Sequence, residues 1–158
     1  ESGDRFQKLV TPALRYTDYC IINELETQQT TGVCLRDEDG TLHVENMKAA
    51  LQKLHELGVS TWAVIHCPEL GCGMDADGSY YEFKSLRLPE GYIKGSVGAG
   101  DAFCAGILYA AETGMTLPEA LKLGACTAAA SLSEVSASDG VKTAEEVLKL
   151  YDLYKAEA

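Results

Sequence analysis

From residue 45 to residue 65 the chain changes its apolar period once, and that change constrains the architecture more than any other stretch. Met47, Ala50, Leu51, Leu54 and Leu57 recur at the spacing of one helix face. Gly58 follows as the residue that closes such a helix. Val59–Ile65 then reads as a central strand, and its apolar character on both sides requires cover on both sheet faces, as in a parallel sheet. Upstream, Phe6, Leu9, Val10 and Leu14 mark a helix over residues 4–15, with Pro12 expected to break or restart it, before the short apolar strand Tyr19–Ile22. Helix, strand, helix, strand is the rhythm of an α/β layer structure.

The rest of the chain fits that frame. Residues 24–32 are polar and read as a short helix or loop at the C-terminal end of the Tyr19–Ile22 strand. Turns at Gly71–Gly73 and Asp77–Gly78 flank Tyr80–Phe83, predicting a hairpin over residues 72–88. A helix after Gly100 runs through Phe103, Ile107, Leu108 and Ala111 to Gly114, apolar nearly all round and hence expected to be buried. Thr116-Leu117-Pro118-Glu119 and Thr143-Ala144-Glu145-Glu146 are capping boxes opening two more helices, the first alanine-rich and the second amphipathic through Val147, Leu148, Tyr151 and Tyr154.

Charge and cysteine usage exclude several function classes. The 158 residues carry a net charge of −11, which disfavours nucleic acid and anionic membranes as partners. No apolar run approaches a membrane span and residues 1–5 lack signal-peptide character, so a soluble, cytoplasmic protein is expected. The six cysteines include no C-x-x-C pair and are expected to be reduced and mostly buried. His43, His55 and His66 show no zinc-binding spacing, so no zinc site is expected.

The chemistry concentrates at Gly95-Ser96-Val97-Gly98-Ala99-Gly100-Asp101-Ala102-Phe103, where small residues and a carboxylate stand at the start of an apolar helix. Unsatisfied N–H groups and the helix dipole favour an anion there. Glycines before a helix and an Asp in its first turn also occur without any ligand. Neither the Walker A loop nor G-x-G-x-x-G matches, since Asp101-Ala102 replaces the lysine and hydroxyl pair and Phe103 replaces the third glycine.

The run from Gly98 to Gly106 resembles the C-terminal signature D-T-x-G-A-G-D-x-F of the ribokinase-like, or phosphofructokinase B, carbohydrate kinases. Asn23-Glu24-Leu25-Glu26, directly after the Tyr19–Ile22 strand, resembles that family's N-x-x-E motif. The resemblance spans the whole chain as the C-terminal half of such a kinase. It implies a three-layer α/β fold and ATP-dependent phosphorylation of a hydroxyl on a sugar or related small molecule. Asp101 is then the base, the N–H groups of Gly98, Ala99 and Gly100 form the anion hole, and Asn23 and Glu26 organise Mg²⁺. Glu24 is the competing carboxylate and reads as a solvated charge. The nucleotide is expected beside Val97, Gly98 and Gly100, with its base between His66, Glu69 and Gly71 on one loop and Ser136 on the loop over residues 134–140.

Three departures from the family pattern qualify those expectations. Gly95-Ser96 replaces Asp-Thr, and loss of that Asp, which helps hold a monovalent cation, counts against potassium activation. The loop at His66 does not match the family's Thr-x-Gly. The N-terminal half with the sugar-binding residues and β-sheet lid, through which such kinases dimerise, is not represented in residues 1–158. The chain is therefore expected to be one part of a longer kinase, inactive on its own. The competing readings are a nucleoside kinase and a non-catalytic nucleotide-binding module.

Overall fold

The computed structural model describes residues 2–155, with side chains from residue 7 onward, so Phe6, expected on the inward face of the first helix, lies outside the described side chains. The chain groups into two units, Glu1–Cys67 with Cys72–Tyr81, and Pro68–Gly71 with Glu82–Ala158.

In the first unit, helix α1 (Ser2–Leu14) continues through Pro12 rather than breaking there. Pro12 falls in the last turn, so the single missing N–H costs only one bond, and the helix ends two residues later. Strand β1 (Tyr19–Asn23) runs directly into helix α2 (Glu24–Thr31), whose end is marked by Gly32 in the left-handed region at φ 75°. Polar as its sequence is, α2 buries Thr27, Thr30 and Thr31. Each of these hydroxyls donates to the carbonyl four residues back, at 2.7, 2.7 and 2.8 Å, so none of the three is orphaned.

A tight antiparallel bridge between Arg36 and Leu42 leads into helix α3 (Met47–Glu56), which buries Met47, Ala50, Leu51 and Leu54 as its spacing requires. Strand β2 (Trp62–His66) begins three residues later than the apolar run suggested. Val59 still belongs to the helix exit, donating to the Leu54 carbonyl at 3.2 Å, and Ser60 and Thr61 are tied to Thr17 and Asp18 as a lead-in. β1 and β2 pair in parallel from Tyr19↔Trp62 to Asn23↔His66.

The sheet order is β1-β2-β3-β4, with β3 (Leu70–Asp75) and β4 (Tyr80–Lys84) as the expected hairpin. Three residues join β2 to β3, too few for a crossover, so the sheet turns antiparallel there. Gly71 and Gly73 stand inside β3 and not in a turn. A Cβ on Gly71 would lie 2.7 Å from Cζ of Phe103, so the strand needs a residue without a side chain at that point.

The second unit is built on helices α4 (Ala99–Glu112), α5 (Leu117–Ser131) and α6 (Ala144–Tyr154). α4 and α5 meet backbone to backbone where Gly106 faces Gly124: a Cβ on Gly106 would sit 2.8 Å from the Gly124 Cα. Around that crossing Phe103, Ile107, Leu121 and Leu123 are buried. α4 is not buried all round, since Leu108 and Tyr109 are 45% and 51% exposed. α6 packs by Phe83–Tyr151 and Tyr92–Tyr154 ring contacts at 5.8 and 5.5 Å. Among the described residues no helix is long and apolar enough to cross a membrane.

Candidate functional site

Two groups of the residues singled out above are brought together, one in each unit. In the first, Asn23 and His66 are register partners at the C-terminal ends of the parallel strands β1 and β2. That is the edge at which open α/β sheets gather ligands. Asn23 is at once the last residue of β1 and the N-cap of α2. Its Oδ1 accepts from the Glu26 N–H at 2.8 Å, and Glu26 Oε2 accepts from the Asn23 N–H at 3.1 Å. N-x-x-E is therefore a complete capping box.

The box leaves usable groups. Glu26 is exposed, and among the described residues its Oε1 accepts no hydrogen bond. A carboxylate so placed suits Mg²⁺ reached through a water, because that ion sheds its hydration shell reluctantly. With Oδ1 committed to the cap, Asn23 offers its Nδ2 donors, which match a phosphate oxygen better than a cation.

Glu24 is not a solvated charge. It is 7% exposed, and its Oε1 accepts from Arg36 Nε at 2.8 Å. Arg36 also donates through Nη1 to the Gly40 carbonyl at 2.8 Å, while its backbone N–H and that of Leu35 reach Gln28 Oε1 at 3.1 and 2.7 Å. Arg36 thus fastens the start of α2, and with it the Asn23–Glu26 end, to the following hairpin. Sequence reasoning missed it because Glu24 and Arg36 are twelve residues apart with no periodic pattern to join them.

In the second unit, Gly98 caps α4 with φ 84°, a left-handed conformation that a side chain would strain. A Cβ there would also come within 2.5 Å of the Ala137 Cβ, and one on Gly95 within 3.1 Å of the Val135 Cα. Residues 95–98 therefore lie directly against the loop that carries Ser136. The Ala99 N–H is turned to the Ser96 carbonyl at 3.3 Å and Ala102 N–H to that of Gly98 at 2.8 Å. Among the described residues the N–H groups of Gly98, Gly100 and Asp101 have no acceptor.

Asp101 occupies the third helical position with its side chain exposed. One turn on, burial together with the Asp101 charge pushes the Cys104 thiol up, which disfavours its thiolate. Open N–H groups beside an exposed carboxylate can hold an anion and take a proton next to it. Val97 is 76% exposed, and the Ser136 hydroxyl accepts from Ser138 N–H at 3.5 Å. Glu69 uses its carbonyl to accept from Ser85 N–H at 3.0 Å, and Gly71 serves packing against Phe103.

A family model described as pfkB family carbohydrate kinase matches residues 1–144. The chain belongs to this family. A stretch of 74 residues, 47% of the chain, is 32% identical to 5-dehydro-2-deoxygluconokinase from Geobacillus thermodenitrificans, covering 22% of that kinase. Among solved structures, the ribokinase of Arabidopsis thaliana complexed with ribose and ATP aligns at TM-score 0.73 and 23% identity, over 89% of this chain and 42% of that one. A putative ribokinase II from E. coli in complex with ATP and Mg²⁺ aligns at TM-score 0.74 and 15% identity, over 95% and 44%. The 2-dehydro-3-deoxygluconokinase of Thermotoga maritima aligns at TM-score 0.70 and 19% identity, over 95% and 46%. At these identities the structures show a shared fold, and the chain spans less than half the length of each of these kinases.

Proposed function

We propose that this chain carries the nucleotide-handling part of an ATP-dependent kinase that phosphorylates a hydroxyl of a sugar or related small molecule. One observation carries the reading: the start of α4 combines a left-handed glycine, unused N–H groups and an exposed carboxylate at its third position. The relatives support it, since one neighbouring structure is a complex with ribose and ATP and another a complex with ATP and Mg²⁺.

Bound Mg-ATP supplies an activated phosphoryl group and a cation that offsets its charge. Asp101 takes the proton from the acceptor hydroxyl as that oxygen becomes nucleophilic. The N–H groups of Gly98, Gly100 and Asp101, with the positive end of the α4 dipole, stabilise negative charge on phosphoryl oxygens. Ala99 contributes by holding the turn, because its own N–H is spent on Ser96. Glu26, whose Oε1 accepts no hydrogen bond among the described residues, would hold the hydrated cation, and Asn23 would donate to phosphate.

The test is Asp101→Asn in the intact protein, with ATP consumption measured across sugars and nucleosides. Turnover is expected to fall by about 10²–10⁴-fold with Mg-ATP affinity nearly unchanged. Turnover close to that of the unmodified protein overturns the assignment. Gly95-Ser96, in place of the family's Asp-Thr, favours a second reading as a nucleotide-binding module without turnover. Calorimetric binding of Mg-ATP with no consumption over the full acceptor panel would establish that one instead.

A further inference from the structure

Among residues that the phosphotransfer reading does not use, the hairpin between α2 and α3 draws together three side chains with metal-binding chemistry. One ligand atom each from Cys34, Asp37 and His43 lies within 4.8 Å of the others. Cys34 Sγ donates to Asp37 Oδ1 at 3.5 Å, and His43 Nε2 stands 2.8 Å from Asp37 Oδ2. A zinc ion bonded at about 2.0–2.3 Å to each of three tetrahedrally placed donors holds them about 3.3–3.7 Å apart, so modest side-chain movement closes the observed cluster around one ion.

We propose that Cys34, Asp37 and His43 form a zinc(II) site on this hairpin, with water as the fourth ligand. The donor set selects the metal. A thiolate and an imidazole favour zinc over Mg²⁺ or Ca²⁺, which prefer oxygen, and a thiolate with a carboxylate balances the charge of the ion. On binding, the Cys34 S–H bond breaks, sulfur keeps the electron pair that becomes the Zn–S bond, and its proton passes to solvent together with the one that His43 Nε2 shares with Asp37 Oδ2, which frees that nitrogen's lone pair for the ion. His43 coordinates through Nε2, while Nδ1, 3.1 Å from Glu45 Oε1, donates its proton to that carboxylate. A carboxylate on the far ring nitrogen is how metal-bound histidines are ordinarily oriented.

The backbone already holds the three positions in place. His43 N–H donates to the Leu35 carbonyl at 2.8 Å, Asp37 N–H to that of Thr41 at 3.0 Å, and Asn46 Nδ2 to that of Cys34 at 2.9 Å. All of these residues are in the first unit, and Cys34, Asp37 and Glu45 are open to solvent. The site does not depend on the kinase reading, and its test needs no turnover.

The chain, freed of metal by a chelator, is titrated with Co²⁺ as the spectroscopic stand-in for zinc. One equivalent is expected to produce a thiolate-to-cobalt charge-transfer band and tetrahedral d–d bands, both erased by added Zn²⁺ and untouched by excess Mg²⁺. Cys34→Ser should abolish the charge-transfer band with an unchanged far-ultraviolet circular dichroism spectrum, and Glu45→Gln should weaken affinity by about 10–100-fold. In the unmodified chain, Zn²⁺ should shield Cys34 from iodoacetamide as read by mass spectrometry, a result independent of how the variants fold. Absence of the thiolate band in the unmodified chain, its persistence in Cys34→Ser, or alkylation of Cys34 indifferent to zinc overturns the site.

Discussion

Two residues show how local chemistry here outweighs what residue type suggests. Arg36 has no motif around it, yet its guanidinium neutralises the buried Glu24. Removing one member of a mostly buried pair strands the other charge, whereas removing both does not. Arg36→Ala is therefore expected to cost about 3 kcal/mol in denaturant unfolding, and the double variant Arg36→Ala, Glu24→Gln clearly less. Equal losses in the two proteins would mean that the pair is not coupled. Gly98 poses a different constraint, a backbone angle with a neighbour in the way. Gly98→Ala should lose about 1–3 kcal/mol from strain at positive φ, and more if Ala137 cannot shift. A thermal melt alongside Mg-ATP calorimetry checks both consequences, since the same change should loosen the start of α4.

Among the elements, those whose signals are local were legible in the sequence. α5 and α6 begin where Thr116 and Thr143 place them, each with its glutamate folded back on the cap. Hydrogen bonds from the Thr116 hydroxyl and N–H hold the Glu119 carboxyl below its ordinary range, and Thr143 does the same for Glu146. A group depressed in the folded state adds stability above its unfolded pKa and loses that contribution as pH falls through its folded pKa. Melting temperature should therefore drop on acidification below about pH 4.5, the ordinary glutamate range, and Glu119→Gln with Glu146→Gln should flatten that limb. An acid limb identical in the double variant would assign it to other carboxylates. What stayed hidden depended on tertiary partners. The polar sequence of α2 conceals a buried face because its threonines satisfy their own hydroxyls. The start of β2 moved because Val59 is still needed to close α3. Cys34 and His43 meet only through the cross-strand pairing of a hairpin that no periodicity announced.

On the scale of the whole molecule, the alternation of helix and strand and two short motifs were enough to reach the fold and the family, while burial of individual groups was not. The cysteines illustrate this. Cys20, Cys72 and Cys126 are buried, but Cys34 is exposed. Burial pushes the Cys126 thiol up to about 11, so in mildly alkaline buffer it should resist alkylation together with Cys20 and Cys72 until denaturant is added. Early labelling of Cys126 in the native protein would contradict the packing of α5. The capping box at Asn23 and Glu26 has a wider consequence. The same two side chains that would serve a nucleotide also start a helix, so selection for mere foldability preserves them after phosphorylation has ceased to matter. On the proposed reading of Asp101 as the base, a descendant that abandoned catalysis would keep this signature while Asp101, exposed and with no hydrogen bond of its side chain among the described residues, drifted. Of the two motifs, the aspartate would on that reading be the better marker of a working enzyme.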